Sequence, residues 1–240
     1  MLLKRILLLC VIVSLNACVS LPQKAFNKGA HDIKTIEVLP MANTEAQVSY
    51  PHPGLNFGLI GATVALAELN AKGNTLQKQL DAAQFDQYES FRVSFDKAMT
   101  ERGYTLIWSD PVAAGKKDKT KRGAWNLRKS AQATDRADAQ LDVNLVFYGY
   151  AASGAGKNSP YRPTISLAAQ LFDASGKKKL FSDVVMYHNM GGIGSKAITI
   201  EPDPAFSYPK FDDVEAAGAS VADGLDAAIR ASAEAMARQL

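Results

Sequence analysis

The stretch Tyr88-Glu-Ser-Phe91-Arg-Val-Ser-Phe95-Asp-Lys-Ala-Met99-Thr-Glu-Arg-Gly103-Tyr-Thr-Leu-Ile-Trp108 decides the fold class. Its residues Tyr88, Phe91, Phe95 and Met99 recur every three or four positions, the period of one helix face. Gly103 stands where a helix end needs a left-handed residue, and Tyr104 to Trp108 reads as a strand. A helix handing over to a strand through Arg-Gly-Tyr is the turn of an α/β layout. Followed backward through Gln84 and Leu80, the same period predicts one helix over Leu76–Arg102.

On either side of this passage the chain supplies more strands. Ile33 to Leu39 alternates and stops at Pro40, a first strand. Leu141 to Tyr150 sets Leu141, Val143, Leu145 and Phe147 against Asp142 and Asn144, the two-residue period of a strand. Thr164–Asp173 and Lys178–His188 read as two more, joined by a short loop in which Gly176 can take positive φ. Asn126–Ala139 is expected to form a short helix, and 189–209 a Gly- and Pro-rich loop. A closing helix begins near Asp212, where Asp212 or Asp213 can cap it. Its apolar stripe is Val214, Ala217, Val221, Leu225, Ile229, Met236 and Leu240. With no internal repeat and no second core, residues 33–240 read as one α/β (α+β) domain. It is a single mixed sheet of about five strands with helices packed on it and a long C-terminal helix.

Composition agrees. The chain has 240 residues, 47% hydrophobic and 21% charged, which excludes a disordered, collagenous, coiled-coil or disulfide-scaffold protein. At its start, Lys4 and Arg5 precede an apolar run, Ile6 to Leu15, that is too short for the ~20 residues of a membrane span. It has the form of a secretory signal segment instead. Leu15-Asn16-Ala17-Cys18 follows, and here the chain resembles a bacterial lipoprotein: an aliphatic residue, small residues and a Cys form the lipobox. The resemblance implies that residues 1–17 are a signal peptide and that Cys18 becomes the first mature residue. Cys18 then carries a diacylglycerol and an amide-linked acyl chain, and 18–32 is a tether. Val19, where inner-membrane members tend to carry Asp, implies the outer membrane, with the domain on its periplasmic face.

Removing residues 1–17 takes away Lys4 and Arg5 and no acid, so the formal charge of +3 falls by two. A nucleic-acid partner loses its electrostatic basis. Cys10 leaves with the signal peptide and Cys18 is acylated, so the domain keeps no thiol for a disulfide, a Cys-ligated metal or a nucleophile.

The order of elements also resembles the α/β domain of the curli-secretion lipoprotein and of lipoproteins that activate penicillin-binding proteins. It is similar as well to the amino-terminal domain of the Tol-system propeller protein. The resemblance is carried by Ile33–Pro40, Phe91–Trp108, the hairpin Leu167–Phe181 and the Ala-rich last helix. It implies an interaction module in a cell-envelope assembly.

Five constellations bear on chemistry. Ala151 to Asn158 nearly spells a phosphate-binding loop, but Ala151 stands where Gly is needed and Asn158 where Ser or Thr is needed, so it reads as a strand-to-strand connection. Lys116, Lys117, Lys119, Lys121 and Arg122 form a basic loop that is either a solvated surface or a contact for anionic lipid, lipopolysaccharide or peptidoglycan. Phe57, Leu59, Ile60, Val64 and Leu66 lie in a stretch of apolar and small residues ending near Glu68. That stretch is either a buried core helix or an exposed face that docks a partner or dips into the bilayer. His31, His52 and His188 lack metal-ligand spacing, and Gly194-Ser195-Lys196 lacks the Gly-x-Ser-x-Gly elbow. The expectation is a non-enzymatic lipoprotein without cofactor or metal that meets membrane lipid through Cys18 and an envelope protein partner. The alternative is a carrier of a lipid, glycan or small molecule, with the Phe57–Leu69 segment and a groove lined by Tyr148, Tyr150, Tyr161 and Tyr187 as its apolar pocket.

Overall fold

A computed structural model describes residues 21, 23–42, 44–56, 58–110, 121–154, 158–188 and 196–240. Seven strands, β1 (Thr35–Val38), β2 (Gln47–Ser49), β3 (Thr105–Trp108), β4 (Ala139–Ala151), β5 (Arg162–Asp173), β6 (Lys179–Tyr187) and β7 (Ile198–Ile200), join in one sheet. Its order is β3-β1-β4-β5-β6-β7, and β2 pairs with the far end of β4. The β4–β5 and β5–β6 pairs are antiparallel and all others parallel, so the sheet is mixed. The helices are α1 (Gly58–Ala82), α2 (Gln87–Glu101), α3 (Phe211–Ala216) and α4 (Ser220–Ala237). This is the expected mixed α/β architecture with a C-terminal helix.

One face of the sheet carries the main core. Leu141, Val143 and Leu145 of β4 meet Leu167 and Leu171 of β5, Phe91, Phe95 and Met99 of α2, and Leu225, Ile229 and Met236 of α4, all buried. Each such side chain contributes about 1.5–3 kcal/mol of transfer free energy. The α2 stripe and the closing stripe therefore meet across a single layer, and Gly103 ends its helix with φ +87, as its position requires.

The opposite face is built differently. Beyond a small apolar cluster of Leu127, Ala168, Val184 and Met186, its β4 positions Gln140, Asp142 and Asn144 are polar and still buried. Residues 121–138 lie over them without regular helix. Asp142 accepts the Arg128 backbone N–H at 2.5 Å, Asn144 accepts Ala42 N–H at 2.7 Å, and the side-chain amide of Gln140 donates to the Gln132 carbonyl at 2.7 Å. The short helix expected over Asn126–Ala139 is therefore absent, because sheet side chains take the backbone groups that a helix would pair internally.

Four further expectations are corrected. The helix expected over Leu76–Arg102 is two helices. Gln84 turns to φ 52, and Asp86 caps α2 by accepting the Glu89 N–H at 2.9 Å. The apolar stretch from Phe57 is not a separate element that ends near Glu68, because α1 runs unbroken from Gly58 to Ala82. Seven strands replace about five, with β7 inside the stretch expected to be loop and β2 before α1. Gly149, at φ +152, makes room for β2: a Cβ there would strike the Gln47 backbone. The single closing helix expected from about Asp212 is also two: α3 begins at Phe211, where Asp213 accepts the Lys210 N–H at 3.0 Å, Gly218 turns to φ +57, and α4 starts at Ser220. Every residue of the expected stripe except Ala217 is nevertheless buried.

Candidate functional site

The side chains with most claim to function gather around α1. Its first turns are apolar and in solvent: Leu59 is 86% exposed, Ile60 82%, Val64 60% and Leu66 54%. Leu55, on the preceding 3-10 turn Pro53–Asn56, is exposed beside them. Of the two readings of this stretch, the buried core helix is therefore not what the chain forms. Phe57, the fifth residue expected there, lies outside the described residues. On the opposite side of the same turns Gly61 and Ala62 are half-buried and Ala65 is buried. The one hydroxyl on the outward face, Thr63 Oγ1, donates to the Leu59 carbonyl at 2.9 Å. The outward side chains of this face therefore carry no unspent polar group and cost little to bury in an apolar medium, while the backbone N–H groups of the first turn still need polar partners.

A polar clamp holds this helix half in place. Glu68 accepts from Tyr50 Oη at 2.6 Å and from Lys72 Nζ at 2.8 Å, and lies 2.9 Å from His52 Nε2. Lys72 also sits 4.5 Å from the centroid of the Tyr50 ring, a cation–π contact. The loop after β2 is thereby fastened to the third turn of α1. Three donors, Lys72 first, then Tyr50 and His52, pull the Glu68 carboxyl down from 4.5 to about 2. Burial, and then the hydrogen bond to Glu68, pushes the Tyr50 hydroxyl up to about 12.

These shifts set a pH window. A carboxyl with a depressed folded pKa adds stability above its unfolded value and loses it as pH falls through the folded one. The clamp is therefore expected to loosen between about pH 4.5 and about pH 2. Protection factors of the amides in the first half of α1, with the intrinsic rate at each pH divided out, should fall as pH drops across that interval, and Glu68→Gln should abolish the fall. Unchanged protection in the wild type would show that the clamp does not hold the helix. Since Glu68 is nearly half exposed, solvent screening keeps the effect local.

The other candidates disperse. Cys18, Lys116, Lys117 and Lys119 lie outside the described residues. Lys121 is exposed, but Arg122 turns inward, with its side chain 9% exposed and 3.5 Å from Asp142. Its guanidinium donates to the carbonyls of Asn126 and Pro40, so it is not presented to an anionic surface. A buried carboxylate needs a cation, and that demand, absent from the local sequence, reassigns Arg122 from surface contact to internal partner.

A cleft of about 640 Å³ beside it is lined by Glu37, Pro40, Lys121, Arg128, Thr134 and Gln140, among others. Several of these are already committed to internal bonds: Glu37 accepts from Thr134 and Arg136, and Arg128 pairs with Asp142. The four tyrosines expected to line a groove are buried instead. Tyr148 bonds Gln77, Tyr150 bonds the Val221 carbonyl, and the Tyr187 hydroxyl accepts the Asp203 N–H. Among the described residues, no three His, Cys, Asp or Glu side chains gather as a metal site would require, and no helix is long and apolar enough to cross a membrane.

Sequence reasoning missed the clamp. Its members Tyr50, His52, Glu68 and Lys72 straddle a turn, and only the Glu68/Lys72 spacing of four, one helix turn, was a visible signal.

No family model and no curated protein matches the chain. Among solved structures it is similar to protein XCC0632 of the DUF330 family from Xanthomonas campestris. The two share 11% identity, with 91% of this chain and 85% of that one covered at a TM-score of 0.38. It is also similar to the lipoprotein GNA1162 from Neisseria meningitidis, at 15% identity, 68% and 88% coverage and a TM-score of 0.27.

Proposed function

We propose that this chain is a lipid-anchored protein of the bacterial outer membrane, held through Cys18 on the periplasmic face. In this reading it works by contact rather than by catalysis, as an accessory module of an envelope assembly. The lipobox Leu15-Asn16-Ala17-Cys18 supports the anchor. The observation that carries the contact role is the exposed apolar face of α1. Leu59, Ile60, Val64 and Leu66 stand in solvent on a helix that the Glu68 clamp fastens to the body. A domain that functioned free in the periplasm would gain solubility by making these positions polar, so the face is there to be covered. The rest of the domain surface is then left to meet an envelope protein partner.

In vivo crosslinking of the full chain from photoreactive residues on the exposed positions of α2 and α4, such as Val93 and Arg230, tests the module reading. The expected result is a discrete adduct with an envelope protein. A lone monomer at every position would contradict it.

A further inference from the structure

The apolar tip of α1 and the chain leading to Cys18 leave the domain at the same end of the sheet. The register fixes this. Ser49 pairs with Ala151, Ala151 with Arg162, and Ile165 with Tyr187, so the last residues of β2, β4 and β6 mark one end. The other end holds the β5–β6 turn, since Ala139 pairs with Asp173 and Phe172 with Lys179.

The N-terminal segment meets β6 through an antiparallel bridge between Lys24 and Ser182. Antiparallel pairing means that the chain preceding Lys24 runs toward Tyr187. Gln23 agrees, donating to Asp183 at 2.7 Å and to the Lys196 carbonyl at 2.6 Å. Leu21 agrees too, lying against the cluster that contains Val184 and Met186.

Helix α1 reaches the same end of the sheet alongside β2. Gln77 accepts the Ala46 N–H, Gly73 approaches the backbone of Ala46 and Gln47, and Glu68 meets Tyr50 and His52. It therefore runs antiparallel to β2, and Leu59 to Leu66 extend past Tyr50, beyond that end of the sheet.

Two lengths bound the geometry. Cys18 is five residues from Gln23, so its Cα can lie no farther than about 18 Å from that point, enough to carry it past the level of Tyr187 when the chain is extended. Leu59 is nine residues from Glu68, so the tip reaches about 14 Å beyond the clamp. The sequence completes the picture, for there is no Asp, Glu, Lys or Arg between Glu45 and Glu68.

We infer that the first half of α1, with Leu59, Ile60, Val64 and Leu66, lies in the headgroup–acyl boundary of the same bilayer leaflet that Cys18 anchors. This rests on the lipoprotein reading above. An interfacial helix buries its apolar face ~5–10 Å deep, within what this tip projects. The lipid anchor and the helix then form a two-point attachment, which fixes the orientation of the domain on the membrane instead of leaving it to swing on a tether.

The test uses full-length Ile60→Cys, made with its lipid and labelled with the environment-sensitive fluorophore NBD. It is reconstituted into phosphatidylethanolamine–phosphatidylglycerol vesicles carrying acyl-chain nitroxides. Lys177→Cys, on the β5–β6 turn at the other end of the sheet, is the control. The expected result is blue-shifted emission and several-fold quenching at position 60, with neither at 177. Aqueous, unquenched emission at 60 overturns the inference, as does a blue shift without nitroxide quenching, which would mean that a protein covers the face. Equal quenching at both positions also overturns it. The parent protein, treated with the same reagent, separates the two claims. If Cys18 takes no label its sulfur is blocked and only the helix placement is at stake; if it takes label, the anchor itself has failed.

Discussion

Arg128→Met is expected to destabilise the domain by about 3–5 kcal/mol, the largest single loss outside the apolar core. Asp142 is fully buried in the middle of β4. Its Oδ1 accepts from Arg128 Nη1 at 2.5 Å, while its Oδ2 takes the Arg128 backbone N–H and, at 3.1 Å, the Gln170 amide. Removing the guanidinium leaves a buried anion with weaker company, and the cost of an uncompensated buried charge exceeds that of the lost bond itself. Arg128 Nη2 also holds the Pro40 carbonyl at 2.9 Å, so the exit of β1 loses a fastening at the same time. Arg122, 3.5 Å from Asp142, softens the loss and places it toward the lower figure.

For a domain of this size the thermal midpoint should fall by about 6–12 °C. Adding Asp142→Asn should recover part of it, since a neutral amide needs no counter-ion. A fall of less than about 1 kcal/mol, read as a urea midpoint with unchanged slope, would mean that Arg122 alone neutralises the carboxylate.

The same network explains where sequence reasoning ran out. Leu141 to Tyr150 announced a strand correctly, but the alternation could not say that the polar side, Asp142 and Asn144, is also buried. The partners that allow this, Arg122, Arg128 and Gln170, are 14 to 28 residues away, beyond any local period. For the same reason 126–139 passed for a helix. The break between α1 and α2 was hidden differently, because Leu80, Gln84 and Tyr88 keep the helical period through a point where the chain turns. Asp86 followed by Glu89 is a capping pattern and was the available clue. Strands β2 and β7 have three residues each, too few to show alternation.

What was legible was whatever depends on near neighbours: the passage from α2 through Gly103 into β3, the hairpins of β4, β5 and β6, and the buried stripe of α4. For the candidate site, the sequence located the apolar stretch but not its exposure. Small and apolar residues surround that helix on nearly every side, so no stripe distinguishes in from out. That decision belongs to the Glu68 clamp and to the register of β2.

The second large effect concerns Cys18. Each buried methylene of an acyl chain is worth about 0.8 kcal/mol, and one chain alone gives only reversible membrane binding. The three chains implied by the lipobox resemblance make attachment effectively permanent. The four exposed side chains of α1 cannot match them, at about 1.5–3 kcal/mol each when fully buried. The α1 face therefore orients a domain that the lipid holds. Everything proposed about the membrane end of this protein depends on that sulfur.

The direct test is metabolic labelling with radioactive palmitate, followed by the intact mass of the purified protein. The account predicts a labelled product whose mass begins at Cys18 and includes a diacylglycerol and an acyl chain, with no label in Cys18→Ser. An unlabelled wild-type product, or equal label in the Ser variant, would contradict it.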